Sequence, residues 1–120
     1  MNYVDGYVLP VPKKSITAYR HMAAKAGKIW REYGALEYFE CVAEDLKVPK
    51  GLLTFSKMVQ LKKDETVIFA WIVFKSRAHR DRVNAQVMKD PRLSGDEDAK
   101  SMPFDMKRMA YGGFKVLVAA

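Results

Sequence analysis

Residues Tyr3 to Val11 alternate, with Tyr3, Asp5, Tyr7 and Leu9 on one face and Val4, Gly6 and Val8 on the other. This predicts a first strand, ended by Pro10 and Pro12. From about Ser15 to Tyr33 the period changes. Ile16, Tyr19, Met22, Ala23, Ala26, Ile29 or Trp30, and Tyr33 recur at three and four, and Gly34 falls where a helix end wants a positive φ. Leu36 to Glu44 alternates again and predicts a second strand, Tyr38, Glu40 and Val42 opposing Phe39, Cys41 and Ala43. Leu46 to Gly51 holds Pro49 and Gly51 and reads as a loop, and Leu53 to Leu61 fits a short helix or a strand equally. Thr66 to Phe74 is a β-branched and aromatic run that predicts a third strand buried on both faces. Ser76 offers an N-cap oxygen for a helix to about Lys89, with Ala78, Val83, Val87 and Met88 inward and Pro91 as its stop. Ser94 to Lys100 is small and acidic and is expected to be an exposed, mobile loop. Arg108 to Val118 is the last strand, and its Gly112–Gly113 pair suggests a bulge or a close backbone approach.

Strand, helix, strand, strand, helix, strand is the order of the ferredoxin-like βαββαβ fold, an α+β class with a four-stranded antiparallel sheet. Right-handed crossovers would put both helices on one face. If Val4, Val8, Phe39, Cys41, Ile68, Ala70 and Ile72 pack under the helices, the pleat sends Tyr3, Asp5, Tyr7, Tyr38, Glu40, Phe69, Trp71, Met109 and Tyr111 to the other side. So aromatic a face calls for a partner subunit, a ligand, or both.

Length and composition narrow this picture. At 120 residues and 49% hydrophobic, the chain is expected to be one domain over residues 1–120 that folds without disulfides or a structural metal. Cys41 is the only cysteine, and the sequence opens on a strand pattern rather than a leader, so a reducing cytoplasm is expected. The longest apolar run, Val67 to Phe74, is eight residues, which predicts no membrane span. Residues 13–32 and 76–90 together hold ten basic and three acidic side chains, so the two helices carry the whole net charge of +7. A basic helix layer attracts phosphates, which keeps an RNA-associated role as the alternative function. Solvated helix faces account for the charge more simply, and the third strand lacks the aromatic pattern of single-stranded RNA readers.

The candidate chemistry is sparse. His21 and His79 lie on different helices without metal spacing to Cys41, so no metal is expected; His21 reads as solvated and Cys41 as a small inward residue. Asp5 and Glu40 fall among aromatic residues, poised as a general base or a cation holder. The plainer reading pairs them with Arg108, Lys107 or a backbone amide at a dimer interface. Tyr3, Tyr7, Trp71 and Tyr111 suit a pocket wall for a flat or apolar molecule, or simply dimer packing. The stretch from Asp90 to Asp105, with Arg92 near its start, is placed to close over such a pocket.

The opening Tyr3-Val4-Asp5-Gly6-Tyr7, the Gly34-Ala35-Leu36 to Glu40-Cys41 segment, Phe69 to Ile72, and Asp90-Pro91-Arg92 resemble the YbaA-like proteins, a bacterial family catalogued as a domain of unknown function. Ser101-Met102-Pro103-Phe104-Asp105, followed by Lys107-Arg108-Met109 and Tyr111-Gly112-Gly113-Phe114, extends that resemblance over essentially the whole chain. The family is similar to the dimeric α+β barrel group, in which two ferredoxin-like sheets pair face to face, and this implies a homodimer. It supplies no catalytic residues and implies no cofactor. The fold also hosts cofactor-independent oxygenases and isomerases, an analogy only. The expectation is a homodimer binding an unidentified small molecule, with or without turnover, at a site drawn from Tyr3, Asp5, Tyr7, Glu40, Trp71, Asp105, Arg108 and Tyr111.

Overall fold

The computed structural model describes residues 1–94 and 102–120. It is an α+β structure: β1 (Tyr3–Pro12), a 3-10 turn, α1 (Ile16–Glu32), β2 (Glu37–Val42), α2 (Phe55–Met58), β3 (Glu65–Phe74), α3 (Arg77–Lys89), α4 (Pro91–Ser94), a second 3-10 turn and β4 (Ala110–Lys115). The strands form one antiparallel sheet in the order β2-β3-β1-β4. Most elements start and stop for local reasons. The Ser76 hydroxyl accepts from the His79 amide at the start of α3. Gly34, at φ +116°, turns the chain out of α1. The ambiguous Leu53 to Leu61 stretch forms the single turn of α2, capped by the Thr54 hydroxyl.

Pro10 does not end β1, which runs on to Pro12. Pro10 and Pro12 stay in register with Val67 and Glu65, whereas β4 pairs with β1 only from Tyr3 to Val8. Beyond Val8 the strand has one neighbour, and a missing N–H is tolerated there. Pro91 likewise begins α4 rather than merely stopping α3. The expected loop over 94–100 lies, past the end of α4, outside the described residues.

The register corrects the assignment of faces. Glu40 stands opposite Ala70, Ala70 opposite Tyr7, and Tyr7 opposite Tyr111; the next row is Tyr38, Ile72, Asp5 and Gly113. Residues directly opposite share a face, so Tyr3, Asp5, Tyr7, Tyr38, Glu40 and Tyr111 lie with Ala70 and Ile72. That face is the one under the helices. Leu9, Val11, Ile68 and Ala70 pack with Tyr19 and Ala23 of α1, while Ile72 and Phe74 pack with Ile29, Val83 and Val87. Met109 packs against the first of these clusters rather than standing outside. Ala78 and Met88 are exposed, and α3 instead turns Arg80 and Asn84 toward the sheet.

The opposite, open face carries the rows Phe39-Trp71-Gly6-Gly112 and Cys41-Phe69-Val8-Ala110, flanked by Val73, Val4 and Phe114. Cys41 is therefore outward and exposed, not an inward core residue. The Glu65, Val67 and Pro10 end of this face is buried, but toward the centre Phe55 meets only one edge of Phe69, which stays 44% exposed beside Phe39 at 48%. The paired glycines of β4 sit in regular register without a bulge, each beside an aromatic ring. A Cβ on Gly113 would lie 2.4 Å from the Tyr3 hydroxyl, and the Phe114 ring lies across Gly6 and Gly112.

Candidate functional site

Two polar groups are enclosed between the sheet and the helices. The first surrounds Asp5, whose side chain is fully buried. The Asn84 amide donates to its Oδ2 at 3.2 Å, and Arg80 Nε stands 3.7 Å from Oδ1, close enough for charge attraction but too far for a hydrogen bond. Arg80 spends its other nitrogens on the hydroxyls of Tyr3 and Tyr111, both at 3.1 Å. Asp5 Oδ1 and Arg80 Nε are left without hydrogen-bond partners. Burial accordingly raises the Asp5 pKa above its ordinary value, against the opposing Asn84 hydrogen bond and Arg80 charge. A carboxyl raised in the folded state contributes most stability below its unfolded pKa, and that contribution is lost as pH rises through the folded value. Asp5→Asn is therefore expected to gain on the wild type as pH rises from 4 to 7, read by urea unfolding at each pH. A wild-type advantage that grows with pH would mean that the Arg80 pairing outweighs burial.

The second group surrounds Glu40 on the edge strand β2. Its Oε1 accepts from the Tyr19 hydroxyl and its Oε2 from the Tyr38 hydroxyl, both at 2.7 Å. Burial, together with the adjacent Glu40 charge, pushes both phenols far above their ordinary pKa, so they stand as protonated donors. Tyr38 reaches this position because Gly27 of α1 has no side chain: a Cβ there would meet the Tyr38 ring at 2.8 Å. The Trp30 indole N–H is held by Asn84 Oδ1 at 2.9 Å, and the Trp30 and Tyr38 rings lie 6.1 Å apart.

Glu40, Tyr19 and Tyr38 border two spaces at once. On one side is an open groove of about 1300 Å³ between α1 and β2, with Arg20, Lys28 and Glu37 along it. On the other is a smaller cavity of about 150 Å³, walled by Tyr7, Trp30, Phe104 and Met109 as well. Phe104 meets Tyr19 edge to face with ring centroids 5.6 Å apart, so the segment before β4 contributes a wall.

The eight residues singled out in the sequence are distributed over several places. Glu40 and Tyr7 border the small cavity; Asp5, Tyr3 and Tyr111 belong to the Arg80 group beside it. Trp71 is on the open face between Phe39, whose ring is tilted 32° at 5.3 Å, and Phe69, edge to face at 5.7 Å. Asp105 caps the turn before β4 by accepting from the Lys107 amide. Arg108 donates to Glu65 at 2.5 Å and to the carbonyls of Val59 and Gln60, which ties the α2 segment to β3 and keeps it away from Asp5 and Glu40. The carboxylates thus pair with Arg80 and with phenols, not with Arg108 or Lys107. Tyr19, Trp30, Arg80, Asn84 and Phe104 join the two groups through contacts across 21 to 85 residues of sequence, whereas Tyr38 lies two residues from Glu40 on the same strand face. Local signals are confined to that alternation and to Gly27 inside an otherwise regular helix.

Among the described residues no group of three or more His, Cys, Asp or Glu side chains is arranged to hold a metal ion, and no helix is long and apolar enough to cross a membrane.

This geometry defines an α+β protein with an aromatic, carboxylate-bearing cavity under its helices and, on the opposite sheet face, exposed aromatic residues at Phe39, Phe69 and Phe114. The family model described as a protein of unknown function, DUF1428, matches residues 2–106. The chain is 47% identical over 119 residues, 98% of each chain, to the uncharacterized protein YbaA of Escherichia coli K12, and the same figures hold for YbaA of Escherichia coli O157:H7 and of Shigella flexneri. It belongs to this DUF1428 family of YbaA-like proteins.

Proposed function

We propose that the chain is a ferredoxin-like subunit that binds a small molecule in the cavity beside Glu40 and pairs as a homodimer through the opposite sheet face. The element order and the strand order β2-β3-β1-β4 support the fold assignment. The observation that carries the binding reading is the position of Glu40, with its two phenols, at the junction of the outer groove and the inner cavity. Aromatic walls around one oriented polar group are the usual composition of a small-molecule site. Any proton transferred there would pass through Glu40, Tyr19 or Tyr38, the acid–base groups within reach. The exposed lysines of α1 serve the RNA-associated alternative no better than they serve a solvated surface, so the cavity is the stronger basis for function.

Ala70 is buried and borders the inner cavity, so Ala70→Leu tests the proposal directly. The three added carbons have the cavity to occupy, and any loss of stability is expected to stay within the range of about 1–3 kcal/mol that enlarging a core residue costs. A panel of ring-sized molecules should raise the melting temperature of the wild type for at least one member and leave Ala70→Leu unchanged. A member near 100 times its Kd would add about 2.7 kcal/mol. Equal shifts in both proteins, or none in the wild type, would place function elsewhere.

A further inference from the structure

The proposal that follows rests on the cavity reading above and concerns the charge of what the cavity takes. Around Glu40 the electrostatics are one-sided. The carboxylate accepts two neutral phenolic hydrogen bonds, and among the described residues it forms no ion pair. An ionised carboxylate has about four acceptor sites, so two remain for a further donor. The cavity beside it is lined by the aromatic side chains of Tyr7, Tyr19, Trp30, Tyr38 and Phe104, and among the described residues no cationic side chain lines it. An anion would be repelled by the carboxylate. A neutral ring would fill the space and leave the carboxylate uncompensated. A cation is attracted by the carboxylate and by any ring face it meets.

We propose that the inner cavity receives the positively charged head of an organic ammonium compound, with Glu40 as counter-ion and the Tyr7, Tyr19, Trp30, Tyr38 and Phe104 rings as an aromatic cage. The volume fits: about 150 Å³ is the size of a cavity that accepts a benzene ring, so a trimethylammonium or a benzylammonium head has room. Two features hold the cage in shape before a ligand arrives. Asn84 fixes the Trp30 indole through its N–H, and Gly27 lets Tyr38 lie against α1 with its hydroxyl on Glu40. The remainder of the ligand would leave past Tyr19 and Tyr38 into the groove. There Arg20 and Lys28 stand with Glu37, so selection for positive charge is made at the inner cavity and a second positive charge farther along is disfavoured.

The test compares pairs of probes differing in charge and little in shape. These are choline against 3,3-dimethylbutan-1-ol, and benzylamine, protonated at pH 7, against benzyl alcohol, each titrated into the full chain by calorimetry. At least one ammonium probe is expected to bind tenfold or more tightly than its uncharged partner. Glu40→Gln should remove that preference while changing the neutral probe's affinity less than threefold. Neutral probes binding as well as the ammonium probes, in wild type and with loss on Ala70→Leu, would overturn the charge assignment and leave the cavity reading standing. If no probe of either pair binds the wild type, both fall. The comparison within the unaltered protein decides the question even if Glu40→Gln folds poorly.

Discussion

Gly27→Ala is expected to weaken binding in the inner cavity by tenfold or more, although it adds a single methyl group to a helix. Two effects oppose each other. Alanine is favoured over glycine inside a helix by about 1 kcal/mol. The new Cβ would, however, lie 2.8 Å from Tyr38 Cδ1 and 3.0 Å from Cε1, inside the closest approach that carbon atoms sustain. The obstructing group is an aromatic ring, which cannot bend aside as the tip of a lysine can. The ring must rotate or α1 must lift, and overpacking of this kind costs about 1–3 kcal/mol. Either movement takes the Tyr38 hydroxyl off Glu40 and alters the wall shared by the groove and the cavity. A net stability loss of up to about 2 kcal/mol is expected in urea unfolding, with loss of probe binding as the larger effect. An increase in stability with binding intact would show that Tyr38 does not pack as described and that helix propensity alone acts at this position.

How much of this was legible in the sequence depends on the range of the interaction. The α1 boundaries, the Ser76 cap and the positive φ of Gly34 follow from residues within a few positions of one another, and the structure has all of them. The four-stranded antiparallel sheet is likewise as the alternating segments predict. Alternation alone turns the Asp5 face of β1, the Glu40 face of β2 and the Tyr111 face of β4 outward, because both faces of β1 and β2 carry apolar residues and a carboxylate favours the solvent side. Asp5 and Glu40 look solvent-facing when their partners are unknown. Those partners are Arg80 and Asn84, more than seventy residues away, and Tyr19, on a different element. Leu9 and Val11, both fully or nearly fully buried, hold the decisive information, since they continue the Asp5 and Tyr7 face with large aliphatic residues while the other face carries Gly6 and Pro10. One constraint between strands would also have sufficed: with Ala70 beneath the helices, register puts Tyr7 there too.

The same error exchanged cavity for interface. Tyr7 and Glu40 were grouped with Trp71 as one wall, whereas the sheet itself separates them. The proposed pocket and the proposed pairing surface therefore lie on opposite faces of the sheet. Arg108 was placed near the pocket by its position after the Met102 to Asp105 turn. Its guanidinium instead holds Glu65 and two carbonyls at the far end of β3, a contact that sequence proximity does not reveal.

That separation shapes the second large effect. Trp71→Glu is expected to convert a dimer at micromolar concentration into monomer, or to raise its dissociation constant at least a hundredfold, while leaving probe binding beside Glu40 within threefold of wild type. Trp71 lies in the open face between Phe39, 48% exposed, and Phe69, with Phe55 set edge-on against Phe69 and Phe114, 62% exposed, toward the β4 edge. Contiguous aromatic surface of this kind is what a specific interface of about 1,200 Å² or more would cover. A carboxylate placed at its centre loses hydration on pairing without gaining a partner, which costs several kcal/mol; a hundredfold change needs only about 2.7. Within one subunit the position is a partly exposed surface site, so folding should be retained. Sedimentation equilibrium on both proteins reads the assembly, and calorimetry with the ammonium probes reads the cavity. A wild type that is monomeric at 100 μM would overturn the pairing. Loss of probe binding in a folded Trp71→Glu monomer would show instead that the cavity needs the second subunit to hold its shape, because Trp71 and Glu40 lie on opposite faces of the sheet.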